Sequence, residues 1–400
     1  MRVCAVASGT SADGLDVAVV DLGLEAGVIS MDILRTGRLP WPDGLREALV
    51  QVQPPAATTV GAICQLDQLV GVAVADAVQR TVEALDRPPH LVVSPGHTVY
   101  HDLRDGTCYG TLQLGQPSWI AERTGLLVVF DLRSRDVAAG GRGGPLASTL
   151  DALWLSAPGG PRAALELGGI AAISVVGGEG EPVVAWDTGP GNCLLDVAAA
   201  RVTDGRQTRD DDGLLAAAGN VRLDLLEALL EHPHFSALPP VSTAREAFSA
   251  GYLDDVLDRI GPDDARVDGP DLLATLTELT AVTVARAIRP YVVTDVVVSG
   301  GGVHNPTLMA AIQRHLGGVR LTRSDELGIP ADSKEAVLWA LLGFLTWHGV
   351  PGTTTATGAL EPSVLGRVTP GAEPLRLPPS ANAFHKRPRR LRVLTTAGGT

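Results

Sequence analysis

A carboxylate stands beside a glycine cluster in Asp187-Thr188-Gly189-Pro190-Gly191-Asn192, directly after the apolar run Val183-Val184-Ala185-Trp186. The apolar run reads as a buried strand, and Cys193 to Ala200 reads as a helix. Asp187 is then at the carboxyl end of a strand, where ligands bind in open α/β sheets. Gly189 and Gly191 let backbone N–H groups approach an anion, and the helix after Asn192 adds positive dipole. The chemistry would be that of a general base next to a phosphate cradle. Asp also caps turns, so this stretch alone supports the base and the turn cap about equally.

Other loops carry related chemistry. Ser8-Gly9-Thr10-Ser11-Ala12-Asp13-Gly14 is rich in small residues and hydroxyls, with Asp16 just beyond it. Its N–H groups suit phosphate oxygens, and Asp13 suits Mg²⁺ held through water. An ordinary hairpin turn is the competing reading. It weakens because Gly168-Gly169 repeats the bend in the second half. Two such bends facing a cleft would grip a phosphate from both sides. Gly300-Gly301-Gly302, followed by Asn305, lets a flat ring or ribose lie against backbone, or lets the next helix pack closely. Glu335 suits positioning of a water, but Asp332-Ser333-Lys334-Glu335 also has capping-box spacing. Arg133, Arg135 and Arg142 suit a substrate carboxylate, or are solvated charge. His97 and His101 flank Tyr100 in what reads as a loop, and are better polar loop residues than metal ligands.

The elements that position these loops recur. Val3–Ala7, Leu15–Leu22 and Val28–Arg38 read as an antiparallel meander. Ala163–Leu167, Ile170–Val176 and Val183–Asp187 repeat that pattern. Long helices are expected over Thr58–Leu85 and Pro270–Pro290, with a nearly all-apolar one over Lys334–His348. Asp295–Ser299 reads as a buried strand. The domains expected are 1–136, rejoined by 360–380, and 137–359 with the catalytic Asp. The basic residues of 381–400 read as a solvated, partly disordered tail.

Four hundred residues suit two domains, and 45% hydrophobic content suits a real core. A net charge of −13 argues against non-specific nucleic-acid binding. Cys4, Cys64, Cys108 and Cys193 form no C-x-x-C pair and read as reduced core residues of a cytoplasmic protein. Neither a signal peptide nor an apolar run long enough for a bilayer is evident, so no membrane partner is expected.

The duplicated strand–hairpin–strand pattern resembles the actin/hexokinase/Hsp70 superfamily of ATP-dependent phosphotransferases. Within it, the chain resembles the anhydro-N-acetylmuramic acid kinase family. The resemblance rests on Ser8-Gly9-Thr10-Ser11-x-Asp13-Gly14, on Asp187 to Asn192 and on Gly300-Gly301-Gly302-x-x-Asn305-Pro306. Leu112-Gln113-Leu114-Gly115, Asp131-x-Arg133 and Leu66-Asp67 also fit, and the likeness runs from Val3 to about Pro370.

The resemblance implies an α/β, two-domain actin/hexokinase-like fold with duplicated mixed sheets, flanking helices and an interdomain cleft. It implies ATP and Mg²⁺ as cofactors, a sugar substrate and a homodimer. The reaction implied is hydrolytic opening of 1,6-anhydro-N-acetylmuramic acid with phosphorylation at O6. Asp187 is the implied base and Glu335 the residue that orients the water. Gly9, Thr10, Ser11, Asp13, Gly14, Asp16, Gly168, Gly169, Gly189, Gly191, Asn192, Gly300, Gly301, Gly302 and Asn305 fall on the nucleotide side. His97, Thr98, Gln113, Asp131, Arg133, Thr243 and Arg245 fall on the sugar side.

Four segments depart from the family pattern. Pro95-Gly96-His97-Thr98 stands for His-Gly-Gln-Thr, and Gly141-Arg142-Gly143-Gly144-Pro145 for Gly-Gln-Gly-Ala-Pro. Glu166 and Ala172 replace the asparagines of Asn-Ile-Gly-Gly-Ile-Ala-Asn, and Thr243-Ala244-Arg245-Glu246 stands for Thr-Gly-Arg/Lys-Glu. The departures keep two alternatives open: a kinase of the same fold for another sugar, and a nucleotide- or sugar-binding protein without turnover.

Overall fold

Every residue of Arg2–Ala7 is buried, so this run belongs inside a sheet with neighbours on both edges. The structure, a computed structural model, describes residues 1–9, 12–54, 56–104, 107–156, 160–179, 181–237, 241–243, 245–260, 269–378 and 388–394. Thr10 and Ser11, expected on the nucleotide side, lie outside the described residues, as do 381–387 and 395–400 of the tail. The chain divides into two units: Met1–Trp154 with Leu327–Thr400, and Leu155–Glu326.

In the first unit, β1 (Arg2–Ala7), β2 (Leu15–Glu25) and β3 (Val28–Leu39) form an antiparallel meander. After α1 (Leu45–Gln51) and α2 (Val60–Glu83), β4 (Leu91–Ser94) lies parallel to β1. β5 (His97–Arg104) and β6 (Thr107–Leu114) form a separate antiparallel ribbon, so His97 and His101 sit on a strand and not in the expected loop. Then come α3 (Pro117–Thr124), β7 (Val128–Phe130) parallel to β4, α4 (Ser134–Ala138) and α5 (Ala147–Leu155). Thr59 caps α2, accepting a hydrogen bond from the Ala62 amide. Val70, Val74, Ala77 and Val78 press the helix onto Cys4, Val6 and Val19. By length and composition α2 matches a bilayer span, which corrects the reading that no segment does.

In the second unit, β8 (Arg162–Leu167), β9 (Ile170–Val176) and β10 (Val184–Pro190) are again an antiparallel meander. Helices α6 (Cys193–Val202), α7 (Leu214–Ala217), α8 (Leu223–Leu230), α9 (Ala250–Ile260) and α10 (Pro270–Ile288) follow. Then β11 (Asp295–Ser299) lies parallel to β8, and α11 (Pro306–Leu316) leads to β12 (Arg320–Arg323), parallel to β11. The chain returns to the first unit with α12 (Lys334–Trp347), β13 (Arg367–Thr369) and β14 (Arg390–Val393).

The sheets run β13-β7-β4-β1-β2-β3-β14 and β10-β9-β8-β11-β12. From β3 to β7, and from β10 to β12, the order is the same: third, second, first, fourth, fifth strand. The first three are antiparallel and the rest parallel. This duplicated mixed α/β architecture is the actin/hexokinase-like fold the sequence suggested.

The expected domain limits at 136 and 359 differ from the division at 154 and 326. The reason is packing: Leu150 of α5 and Ala336 to Leu345 of α12 share one core with β1, β2 and β4. Gly343 makes this contact possible, since a β-carbon there would overlap Val93. The tail is also corrected. Arg390–Val393 pairs in parallel with β3, and Leu391 is buried. Cys64 is exposed, unlike the other three cysteines, so it is not the core residue expected.

Candidate active site

β10 is the outer strand of its sheet, so groups on its far side have no neighbouring strand to pair with. Asp187 lies inside this strand and not in a turn after it. Asp187 pairs with Ala172 and Gly189 with Ala171, which leaves Thr188 as the extra residue of a bulge. The segment after α8 serves this edge. Val241 O accepts the Asp187 N–H at 3.0 Å, and Nε2 of His234 donates to the Asp187 carbonyl at 2.9 Å. The Thr243 N–H donates to Oδ2 of Asp187 at 2.8 Å. Burial pushes the half-buried Asp187 carboxyl up to about 6, against a smaller lowering by the Thr243 N–H. Such a group is ionised at neutral pH yet takes up a proton readily, as a general base must.

The cradle beside it is built differently from the expectation. The amides of Gly191, Asn192 and Cys193 donate to the carbonyls of Gly169, Gly168 and Gly169 at 3.0, 2.9 and 3.0 Å. Asn192 Nδ2 adds a bond to Leu167 O at 3.0 Å. These groups lock the β8–β9 bend to the start of α6 and are already used within the protein. Gly191 has to be glycine, because a β-carbon would lie 2.4 Å from Gly168 O. The positive charge at the bend comes from a side chain. Arg245 Nε lies 3.1 Å from where a Gly169 β-carbon would be. Arg245, assigned to the sugar side from sequence, therefore covers the glycine bend.

The three glycines divide between close packing and open exposure. β-Carbons on Gly300 and Gly302 would lie 2.8 and 2.7 Å from Leu167 atoms, so these two pack against the end of β8. Gly301 is exposed, and a β-carbon there would meet nothing within 4 Å, which leaves bare backbone for a ligand. Asn305 Oδ1 caps α11, accepting from Leu308 N at 2.9 Å. Glu166 accepts a hydrogen bond from Ser299 Oγ at 2.7 Å.

In the first unit, Gly9 O accepts from Ala12 N at 3.0 Å and from Ser8 Oγ at 3.1 Å. Asp13 is exposed and meets Arg46 at 3.5 Å, while Gly14 packs against Arg38. Asp16 is committed to Arg38 through bonds of 2.6 and 3.1 Å, and burial raises its pKa despite that partner. His97 is buried, and its Nδ1 lies 3.2 Å from Ser8 Oγ. The Ser8 hydroxyl hydrogen goes to Gly9 O, so Nδ1 is the donor of that pair. Burial pushes His97 down to about 4, and it is neutral at working pH. Gln113 Nε2 donates to Thr98 and Thr111 at 3.3 and 2.6 Å. Asp131 pairs with Arg367 at 2.8 Å.

Arg133, Trp339 and Glu335 come together. The Arg133 guanidinium stands 5.1 Å from the Trp339 ring centre and donates to Gly143 O at 2.6 Å. Burial lowers the Arg133 pKa, while the charges of Glu335 and Asp136 oppose that. Trp339 Nε1 donates to Glu335 Oε1 at 3.3 Å. α12 starts at Lys334 with Ser333 as its N-cap, and the Ser333 side chain makes no cap bond. The neighbouring Lys334 makes a buried ion pair with Asp151 at 2.8 Å, which ties α12 to α5.

Sequence reading missed Trp339 and His234. The run His232-Pro233-His234-Phe235, shortly before Thr243, was the available signal. Among the described residues, no group of three or more His, Cys, Asp and Glu is arranged to hold a metal.

Residues 1–371 match the family described as anhydro-N-acetylmuramic acid kinase. Among curated relatives, the anhydro-N-acetylmuramic acid kinase of Streptomyces coelicolor is 50% identical over 98% of this chain and 99% of its own. That of Streptomyces avermitilis is 48% identical over 96% and 98%, and that of Rhodococcus erythropolis 44% over 98% and 99%. Fold and relatives together define a sugar kinase, a phosphotransferase that uses ATP. The two units, with their matching sheets and glycine bends, are its framework. The chain belongs to the anhydro-N-acetylmuramic acid kinase family.

Proposed function

We propose that this protein opens 1,6-anhydro-N-acetylmuramic acid with water and phosphorylates O6, giving N-acetylmuramic acid 6-phosphate. The setting would be cytoplasmic recycling of cell-wall amino sugars, with the protein as a homodimer. A water oxygen bonds to the anomeric carbon as the bond from that carbon to O6 breaks. Asp187 takes the water proton, and O6 then takes the γ-phosphoryl of ATP, releasing ADP. The observation that supports this most is Asp187 itself: a carboxylate raised to about 6, with one oxygen held by the Thr243 N–H.

Arg245 at the Gly168-Gly169 bend supplies charge for the transferring phosphoryl. Gly301 offers backbone to the nucleoside. In the first unit, Glu335 orients the water, with Trp339 and Arg133 fixing its direction. Arg133 and Gln113 serve the sugar. Asp13, exposed and only loosely paired with Arg46, fits a carboxylate that holds Mg²⁺ through water. When bound, Mg²⁺ would neutralise charge on the triphosphate.

The test is incubation with ATP, Mg²⁺ and the anhydro sugar, with the product weighed by mass spectrometry. A gain of phosphate plus water is expected. Asp187→Asn should lower turnover by roughly 10²–10⁴-fold, and near-normal turnover would remove Asp187 from the role. Two observations favour a second reading, a kinase for another sugar. The buried, neutral His97 stands where the family has glutamine, and Glu166 is tied to Ser299. A sugar panel separates the two, because activity confined to the anhydro sugar rules the second out.

A further inference from the structure

We propose that His234 is a positioning residue for Asp187, holding the main chain at the bulge so that the carboxylate keeps its aim. The inference rests on the reading of Asp187 as the base. A residue before a bulge on an outer strand has main-chain groups that no neighbouring strand satisfies. At Asp187 the amide goes to Val241 O, and the carbonyl is taken by the His234 ring at 2.9 Å. A carbonyl only accepts, so Nε2 of His234 carries the hydrogen.

The ring is itself braced. The His234 amide donates to His232 Nδ1 at 3.2 Å. The ring also meets Phe235 and Phe248 edge-on, with centres 5.7 and 5.8 Å away. Phe235 in turn fills the space over Gly189, where a β-carbon would lie 2.6 Å from its ring. The residue that fixes the Asp187 carbonyl is thus packed beside the one that fits the glycine after the bulge. The titratable groups facing His234 are Asp187 and His232. Burial lowers the pKa of His234, followed by an opposing rise from the Asp187 carbonyl and a lowering by His232. The ring is neutral at working pH and still donates.

Three variants decide the matter. His234→Phe keeps the ring and removes the donor. His234→Gln carries an amide N–H that reaches as far as Nε2, and His234→Asn carries one that does not. Each is assayed for sugar-dependent ADP release and, without substrate, for the titration of Asp187 by carboxyl ¹³C NMR. His234→Phe should lose kcat by on the order of 10²-fold, as a misplaced base does, with KM for ATP little changed. The Asp187 midpoint should move with it. His234→Gln should restore most of the rate and the midpoint, and His234→Asn should not. A folded Phe variant with the parental rate and midpoint overturns the proposal. If the Phe variant does not fold, equal behaviour of Gln and Asn overturns it. Should the parent itself turn over no anhydro sugar, the proposed reaction fails, while the titration still decides the part played by His234.

Discussion

Replacing Asp187 by Asn should make the protein more stable, and by an amount that grows with pH. Unfolded, the carboxyl titrates near 3.8; folded, burial moves it to about 6. Between those values the native state keeps a proton that the unfolded chain has released, so stability falls as pH rises through the window. The full cost of about two units is ~3 kcal/mol. Roughly half of it is present at pH 5, and nearly all of it by pH 8. The Asp187→Asn variant has no charge to desolvate, and its amide oxygen can still accept the Thr243 N–H. Its advantage over the parent should therefore widen by on the order of 1 kcal/mol between pH 5 and pH 8. Hydrogen–deuterium exchange of peptides spanning β10 reads this locally, without requiring the two units to unfold together. The difference between variant and parent at each pH cancels the intrinsic exchange rate. An advantage that stays flat across this range, or a variant less stable at pH 8, would refute the account of a carboxylate strained by burial. The same shift places the acidic limb of the pH–rate profile near 6.

Gly189 has φ of +133° and the Phe235 ring 2.6 Å from its missing β-carbon. Gly189→Ala should destabilise by about 1–3 kcal/mol and lower turnover together; thermal melting and ADP release check both. Arg245→Met should weaken a non-hydrolysable ATP analogue by roughly 10-fold or more while leaving ADP affinity unchanged. Equal losses in calorimetry would take Arg245 away from the terminal phosphate. Ending the chain at 380 removes β14, and Leu391→Ala alone should cost about 2–5 kcal/mol. A melting temperature unchanged by either alteration would show that the last strand contributes nothing.

Much of the framework was legible because burial writes itself into composition. Asp295–Ser299 is an unbroken apolar strand apart from its ends, and all five of its residues are buried. Pro270 opens α10 where its missing N–H is least costly. The misreadings share a physical cause: tertiary contacts overrode local signals. Gly189 and Pro190 punctuate most sequences, yet here they complete β10, because an outer strand tolerates proline and a bulge needs the glycine. The β5–β6 ribbon escaped notice because Tyr100, Leu103, Tyr109 and Leu112 are apolar yet exposed, so no clean alternation marks its faces. Arg390-Leu391-Arg392-Val393 is short and charged, and only the open edge of β3 makes it a strand.

At the site, residue types were readable but partners were not. Asp187 was identifiable from its glycines, whereas its hold by Val241, His234 and Thr243 depends on a segment about fifty residues away. Arg245 read as a sugar-side residue, and its packing over the Gly169 bend is a contact that only the fold creates. The spacing of Asp332 and Glu335 gave no sign that Trp339, one helical turn on, donates to Glu335.

The first unit is made from both ends of the chain, with Leu155–Glu326 inserted between them. On the ribosome, β1, β2 and β4 emerge early, but α12, which roofs one side of them, is translated more than two hundred residues later. The inserted unit is contiguous and is fully translated while that greasy sheet face still waits for its cover. Nascent chains stalled between residues 155 and 330 should accordingly recruit holding chaperones more strongly than chains released after α12.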